Sequence, residues 1–466
     1  MNYSLRPYQA DLSTRVLNSL AKHKKVMAQL PTGGGKTIIF NDIIKRCHNK
    51  KYGTLVVAHR KELITQAYTK LQNGYGIDSG IIMAGFNPRY DYRNQIASIQ
   101  TLARRQKPTD IKLVIFDEAH HCTAETYRKI IAHYSDAYIL GVTATPVRRN
   151  GVGFQDLFNK LECGPSIKEL EKLGFIVPAK SYINPIDESY FKNIRITGGD
   201  YNNKQLAEMM NNNELTADLL LNKTKFAKGL QTLVFAVNVN HSQSIANMYN
   251  ANGIKAVHVD GKSKDRDKII QAFNNKEFEV LVNVGIATEG TDIPCIECVQ
   301  LVRPTKSLAL FLQMVGRGCR LLEGKKNYVL LDHANCVMEH GMPNQDRNWT
   351  LKGKKYKKAL PKQFKLKLKG EERIIDLSTI PKGLKGVELI PLVNEMRVQE
   401  FIKNYNFAKS RNWKPAFAWY KYLEFMQKKV GRYPNVQELT YVARKLQYSD
   451  RWVHYKLEEF KKKPIT

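Results

Sequence analysis

Residues 30–37 read LPTGGGKT, opening on the last residue of the apolar run VMAQL (26–30), and residues 117–121 read DEAHH, directly after KLVIF. Each is a polar motif at the end of a strand-like run, and that pairing leaves few folds open. A glycine loop ending in Gly35-Lys36-Thr37 turns backbone N–H groups toward phosphates, a lysine toward β/γ charge and a hydroxyl toward Mg²⁺. Thr32, Gly33 and Gly34 belong to the same cradle. Adjacent carboxylates at the end of a buried strand suit two jobs. Asp117 suits a metal ion held through water, and Glu118 suits activation of an attacking water.

The rest of the chain carries the α/β pattern onward. Up to about residue 178, the runs TLVVA (54–58), KLVIF (112–116) and AYILGVTA (137–144) alternate with helix-like stretches such as KELITQAYTKLQ (61–72). Such alternation predicts βαβ units and a mostly parallel sheet. A polar, Asn-rich stretch around 184–213 follows. A second series then begins with TLVFAV (232–237), KAVHV (255–259), EVLVNV (279–284), CVQLV (298–302) and YVLLD (328–332), and it lacks a glycine loop of its own. The predicted division is a first lobe over 1–178, a linker over 179–214, a second lobe over 215–345 and a basic, helical C-terminal module over 346–466.

Charge narrows the partner. The 466 residues carry a formal net charge of +31, more than a small anion held by one loop requires, and a long polyanion is the natural counterpart. Much of it gathers in LKGKKYKKALPKQFKLKLKG (351–370), a run that by itself reads as a solvated tail or linker. The seven cysteines are odd in number and irregular in spacing, which argues for a reducing compartment rather than a disulfide framework. Cys295-x-x-Cys298 lacks the second pair that a zinc site needs, so no zinc is expected. No apolar run is long enough to span a bilayer. The expectation is a cytoplasmic protein with no membrane partner.

Further motifs complete the pattern. Arg6 and Gln9 stand in LRPYQ, upstream of the loop, where a glutamine amide can read both the donor and the acceptor edge of adenine. VVAHRKELITQ (56–66) places a strand before a His-Arg loop and a helix, and GVTATP (141–146) ends a strand with Thr143 and Thr145. GIATEGTDIP (285–294) and QMVGRGCR (313–320) come late in the chain. If the latter is helical, its spacing puts Arg317 and Arg320 on one face. From there two guanidiniums could stabilise charge on a γ-phosphate.

In this order the motifs over residues 1–345 resemble those of the superfamily 2 helicases. The branch most similar is the RadD-like and XPB-like group, on the segments GVTATPVRRNGVGF and RPTKSLALFLQMVGRGCRLLEGKKNYVLLD. Phage helicases that process branched DNA belong to the same neighbourhood. The resemblance implies two tandem RecA-like lobes with parallel sheets plus a small helical C-terminal module. It also implies ATP with Mg²⁺ as the nucleotide system and DNA as the partner of a monomeric motor. Lys36 and Thr37 would hold phosphate and Mg²⁺, while Asp117 and Glu118 would serve metal and water. His120, Thr143, Thr145 and Gln313 would couple the lobes. Gly290 and Asp292 would lie near the nucleotide, and Arg317 and Arg320 would be fingers from the second lobe. Arg60, Gln100, Thr101, Phe235 and Thr288 would track the nucleic-acid backbone. Two departures stand out: Leu30 replaces the first glycine of the general loop pattern, and no Cys-rich zinc module follows residue 330.

Two aromatic stretches read either way. FNPRYDYRN, beginning at Phe86, is a base-stacking segment or a surface turn. Trp413, Phe417, Tyr420 and Phe425 recur at helical spacing, as a buried face or a stacking platform, beside Lys414, Lys421, Lys428, Lys429 and Arg432. The function expected is an ATP-dependent DNA helicase or translocase acting on forked or branched DNA. The alternatives are an RNA helicase, a duplex translocase, and a nucleic-acid-binding ATP switch that does not unwind.

Overall fold

The computed structural model describes residues 4–122, 125–148, 151–183, 191–210, 213–286, 293–353, 375–376 and 416–425, with isolated positions from 439 to 459. By internal contacts the chain forms two units, one comprising Met1–Ser181 with Asn193–Lys357, the other Tyr182–Lys192 with Lys358–Thr466.

The first unit holds two α/β lobes. In the first lobe, strands β1 (Lys25–Gln29), β2 (Gly53–Ala58), β3 (Gly80–Ile82), β4 (Asn94–Ser98), β5 (Ile111–Asp117), β6 (Tyr138–Thr143) and β7 (Lys160–Cys163) form one sheet. Its order is β3-β4-β2-β5-β6-β1-β7, and its neighbours pair in parallel. Helices α1 (Pro7–His23), α2 (Lys36–Asn49), α3 (Lys61–Tyr75), α4 (Ile99–Leu102), α5 (Glu125–His133) and α6 (Ile167–Lys172) accompany it. β2 is buried at every position, as a strand covered on both faces must be. Leu55, Val57, Val114, Phe116, Phe154 and Phe158 belong to the core below.

The second lobe is built alike. Its strands are β8 (Ala179–Ile183), the hairpin β9 (Ile196–Thr197) and β10 (Asp200–Tyr201), then β11 (Thr232–Phe235), β12 (Ala256–Val259), β13 (Val280–Asn283), β14 (Cys298–Leu301) and β15 (Tyr328–Asp332). The main sheet runs β12-β13-β11-β14-β15-β8, parallel from β12 to β15. In the second unit, β16 (Ile375–Asp376) is antiparallel to Tyr182 and Ile183. The second lobe's helices are α7 (Asn203–Met210), α8 (Asn213–Phe226), α9 (Val239–Ala251), α10 (Arg266–Asn274), α11 (Leu308–Val315) and α12 (Cys336–His340). The stretch read from sequence as a linker therefore opens on a sheet strand, β8.

Two details go beyond the sequence pattern. After the second lobe the chain returns to the first. The Leu351 carbonyl accepts from Phe154 N at 2.7 Å and Gln155 N at 3.0 Å, and its side chain packs on the first lobe's core. Asn344 donates to Glu171 at 2.9 Å. Residues 346–353 thus belong with the lobes, not with a C-terminal module. In the second unit, α13 (Ala416–Phe425) buries Trp419 and Tyr422, while Tyr420 is 68% exposed. Of the two readings left open by the spacing, a buried face does not hold for Tyr420, which lies on the outer side of the helix. Trp413, most of the lysine run and Lys428, Lys429 and Arg432 lie outside the described residues. Among the described residues no helix is long and apolar enough to cross a membrane.

Candidate active site

Parallel strands send the loops that follow them to one edge of the sheet, where α/β proteins bind ligands. In the first lobe that edge carries the glycine loop after β1, His59-Arg60 after β2, Gln100-Thr101 after β4, Asp117-Glu118 at the end of β5, and Thr143–Thr145 after β6. The glycine loop is formed by close approach. Gly33 and Gly35 have φ of 85° and 89°, conformations open mainly to glycine. A Cβ on Gly35 would lie 2.4 Å from Gln9 Nε2, and one on Gly34 would lie 2.7 Å from the Leu30 side chain. Leu30, the apolar departure from the general pattern, is 1% exposed and shapes the loop from beneath. Gln9 supports it from α1: its Nε2 donates to the Gly34 carbonyl at 3.1 Å and its Oε1 accepts from Arg6 N at 3.0 Å. Both edges of the amide thus meet backbone. Arg6 lies 4.4 Å above the Phe175 ring, which also packs on Tyr8.

A line of polar contacts leaves the loop. Lys36 Nζ sits 3.4 Å from Glu118 Oε1, and Glu118 Oε2 sits 3.3 Å from His120 Nδ1. Glu118 has φ 49°, the left-handed turn that ends β5, and its N–H donates to Asp117 Oδ1 at 2.9 Å. His120 Nδ1 also lies 3.2 Å from Thr143 Oγ1, whose hydroxyl donates to the Thr145 carbonyl at 3.2 Å. With that proton committed, Nδ1 of His120 is the donor. Its Nε2 then accepts from Gln313 Nε2 of the second lobe at 3.3 Å. Asp117 and Glu118 are both nearly buried, so the charges act in a site poor in water.

The segment after Gln313 reaches the same loop. A Cβ on Gly316 would lie 2.6 Å from Thr32 Cβ, and Cys319 Sγ lies 2.9 Å from where a Cβ on Gly33 would be. Cys319 Sγ donates to the Thr32 carbonyl at 3.5 Å, and its own carbonyl accepts from Val177 N at 2.9 Å. The helix expected to carry Arg317 and Arg320 on one face is corrected here: α11 stops at Val315. Arg317 N and Gly318 N bond to Met314 and Val315 carbonyls three residues back, so the arginines sit on a tight turn. The cause is tertiary. The ring of Tyr328 lies 2.3 Å from where a Cβ on Gly318 would stand, so only glycine fits and the chain bends around the ring. Arg317 is 6% exposed.

The residues expected to follow nucleic acid are scattered. Arg60 donates to the Gly285 carbonyl at 2.9 Å, bridging the lobes. Gln100 donates to the His59 carbonyl at 3.4 Å and, with His59, Arg104 and His121, lines an open cavity of about 320 Å³. Thr101 lies in α4 beside it. Phe235 is corrected: at 2% exposed it is a core side chain of the second lobe, as an apolar residue inside a buried strand should be. In the FNPRYDYRN segment Arg89 pairs with Asp91 at 2.6 Å, and Tyr90 packs against the core. Thr288, Gly290 and Asp292 lie outside the described residues. Cys295 and Cys298 are buried, their thiols pushed up by burial to about 11 and about 12. Sequence reasoning missed Phe175, the thiol of Cys319, and the ring column His59–His121–His120, with centroids 4.1 and 4.2 Å apart. None has a motif signature apart from the doubled histidine.

Comparison with known proteins agrees with this arrangement. The family described as "Type III restriction enzyme, res subunit" matches residues 2–148, and the "Helicase conserved C-terminal domain" matches residues 211–321. A Saccharomyces cerevisiae protein named as the ATP-dependent helicase IRC3 is 34% identical over 352 residues, covering 70% of this chain and 51% of its own. The chain thus spans about half the length of that relative. A 51.5 kDa protein of a Lactococcus phage is 34% identical over 332 residues, covering 69% of this chain and 68% of its own. A fragment described as an HsdR subunit of a type I restriction enzyme from Vibrio vulnificus superposes with a TM-score of 0.58. It shares 20% identity over 74% of this chain and 67% of that one, a likeness of fold alone. A glycine loop, a DEAH segment and a second-lobe arginine turn, held together across two parallel-sheet lobes, place the chain in the superfamily 2 helicases.

Proposed function

We propose that this chain hydrolyses ATP and uses the cycle to move on DNA, unwinding or branch-migrating forked and branched substrates in repair, recombination or replication. The observation that carries the motor reading is the line Lys36–Glu118–His120–Gln313, in which one histidine joins the catalytic carboxylate of one lobe to the other lobe. Lys36 meets phosphate charge and Glu118 orients the attacking water. Arg317 and Arg320 stabilise the charge that develops on the γ-phosphate. Arg6 and Gln9 read adenine, for which Gln9 must exchange a backbone partner for the base.

The donor set fits Mg²⁺: the Thr37 hydroxyl opening α2 and the buried Asp117 carboxylate closing β5 are the hard oxygens that ion takes. Held there with ATP, the ion would supply positive charge against that of the phosphates. Arg60 and Gln100, at the edge where the loops gather, grip a strand through its phosphates, which carry no sequence information. The family resemblance assigns Gly290 and Asp292 to the nucleotide and Thr288 to the nucleic-acid backbone. The +31 charge suits a partner with several duplex arms.

The test is ATP turnover with single-stranded DNA, linear duplex, forked DNA, a four-way junction and RNA in turn, followed by unwinding of a fork against a tailed duplex of equal length at one salt concentration. Stronger stimulation and faster unwinding by branched DNA are expected. Equal rates on all DNA would leave a generic translocase, and a preference for RNA would overturn the DNA reading.

A further inference from the structure

We propose that Lys325 is a positioning residue for the arginine turn, its side chain clamping the backbone between Arg317 and Arg320 to the body of the second lobe. The Nζ donates to three carbonyls: Gly318 at 2.6 Å, Arg320 at 3.0 Å and Ile296 at 2.6 Å. An ammonium has three protons, and each finds one acceptor here. Two of these carbonyls flank Cys319, and the third precedes β14, whose neighbours in the sheet are β11 and β15. The clamp stands where secondary structure gives out. α11 ends at Val315, so the turn lacks a helical ladder over Cys319 and Arg320. On its other side the turn is held by the first lobe, through Val177 N to the Cys319 carbonyl and Cys319 Sγ to Thr32. Lys325 is thus the second lobe's grip on a segment the first lobe also holds. Its Nζ also lies 6.0 Å from the centroid of the Tyr328 ring, the ring against which Gly318 is packed.

The groups facing this ammonium come from every neighbouring element: Cys319 and Arg320 from the turn, Cys295 and Glu297 from the segment before β14, and Tyr328 from β15. Burial pulls the amine down to about 8, against the opposing pull of Cys319, Glu297 and Cys295, with Arg320 lowering it further. A neutral amine has two N–H groups for three carbonyls, so the clamp loses one bond as pH rises through that value.

This inference rests on the finger reading of Arg317 and Arg320, and the experiment separates the two. ATP turnover of the full chain is measured for wild type, Lys325→Met, Lys325→Arg and Arg320→Ala, with thermal melts alongside. Methionine keeps much of the stem and removes the donors. Expected for Lys325→Met is a kcat lower by about tenfold or more with KM for ATP within about threefold, the split that marks loss of an interaction made in the transition state. Lys325→Arg, which keeps charge and donors, should recover part of it. Wild-type kcat should fall above about pH 8, a limb absent in Lys325→Arg. An inactive Arg320→Ala beside a wild-type kcat in Lys325→Met would overturn the clamp alone, whereas a fully active Arg320→Ala would overturn the finger reading beneath it. If Lys325→Met fails to fold, the wild-type profile decides: a flat kcat from about pH 7 to about pH 9.5 overturns the proposal.

Discussion

Lys36 and Glu118 face each other at 3.4 Å, yet substitution should separate their roles. Lys36 meets charge already present on bound ATP, so Lys36→Ala should weaken nucleotide binding in a fluorescence titration. Glu118 handles the water, so Glu118→Gln should bind ATP and turn it over about 10²–10⁴-fold more slowly; normal turnover would remove it from that role. Arg317→Ala and Arg320→Ala should each lower kcat by about 10³–10⁵-fold with modest change in ATP affinity, and wild-type rates in both would end the finger reading. That Lys36, Asp117 and Glu118 would gather at one edge of the sheet was legible because phosphate chemistry demands particular side chains at fixed spacing. Phe235 was not, because an apolar residue near a motif reads alike whether it faces a ligand or the core. Its 2% exposure comes from packing that no local pattern records.

Among the elements, the strands were the easiest to read. A parallel strand covered on both faces is a short apolar run, and TLVVA, KLVIF and YVLLD fall within β2, β5 and β15. The arginine turn was misread because helical arithmetic assumes that the helix continues. α11 ends at Val315, and Gly318 beyond it is packed against Tyr328, a residue ten positions on that meets it only in the folded lobe. Gly318→Ala should therefore displace the fingers: kcat should drop about tenfold or more while ATP still binds, and an unchanged kcat would show that the ring yields. Gly35→Ala combines a φ of 89° with a Cβ 2.4 Å from Gln9 Nε2. A melt should show about 1–3 kcal/mol of destabilisation from the backbone strain, with ATP binding weakened as well. α13 shows the same limit: spacing announces an amphipathic helix, but only its packing reveals that Trp419 and Tyr422 face inward.

At the scale of the whole molecule, the return of the chain to the first lobe decides where it can be cut. Removing 358–466 should leave basal ATP hydrolysis intact and flatten the salt dependence of DNA binding, by roughly 0.9 in the log–log slope for each duplex phosphate no longer neutralised. Removing 346–466 also takes away Leu351 and its bonds to Phe154 and Gln155, so that version should melt at lower temperature. Equal melting of the two truncations would make the return decorative. That return was illegible in sequence, where the lysine run beyond it dominates the eye. Its mechanical consequence reaches further. The second lobe is fastened to the first at both of its chain ends, through the stretch leading into β8 and through residues 344–353. A body pinned at two points swings about the line joining them, as a door does on a pair of hinges, and its other rotations are costly. Under the proposed function, such an axle would turn each nucleotide cycle into the same repeated arc, and step length would follow from chain connectivity rather than from the track.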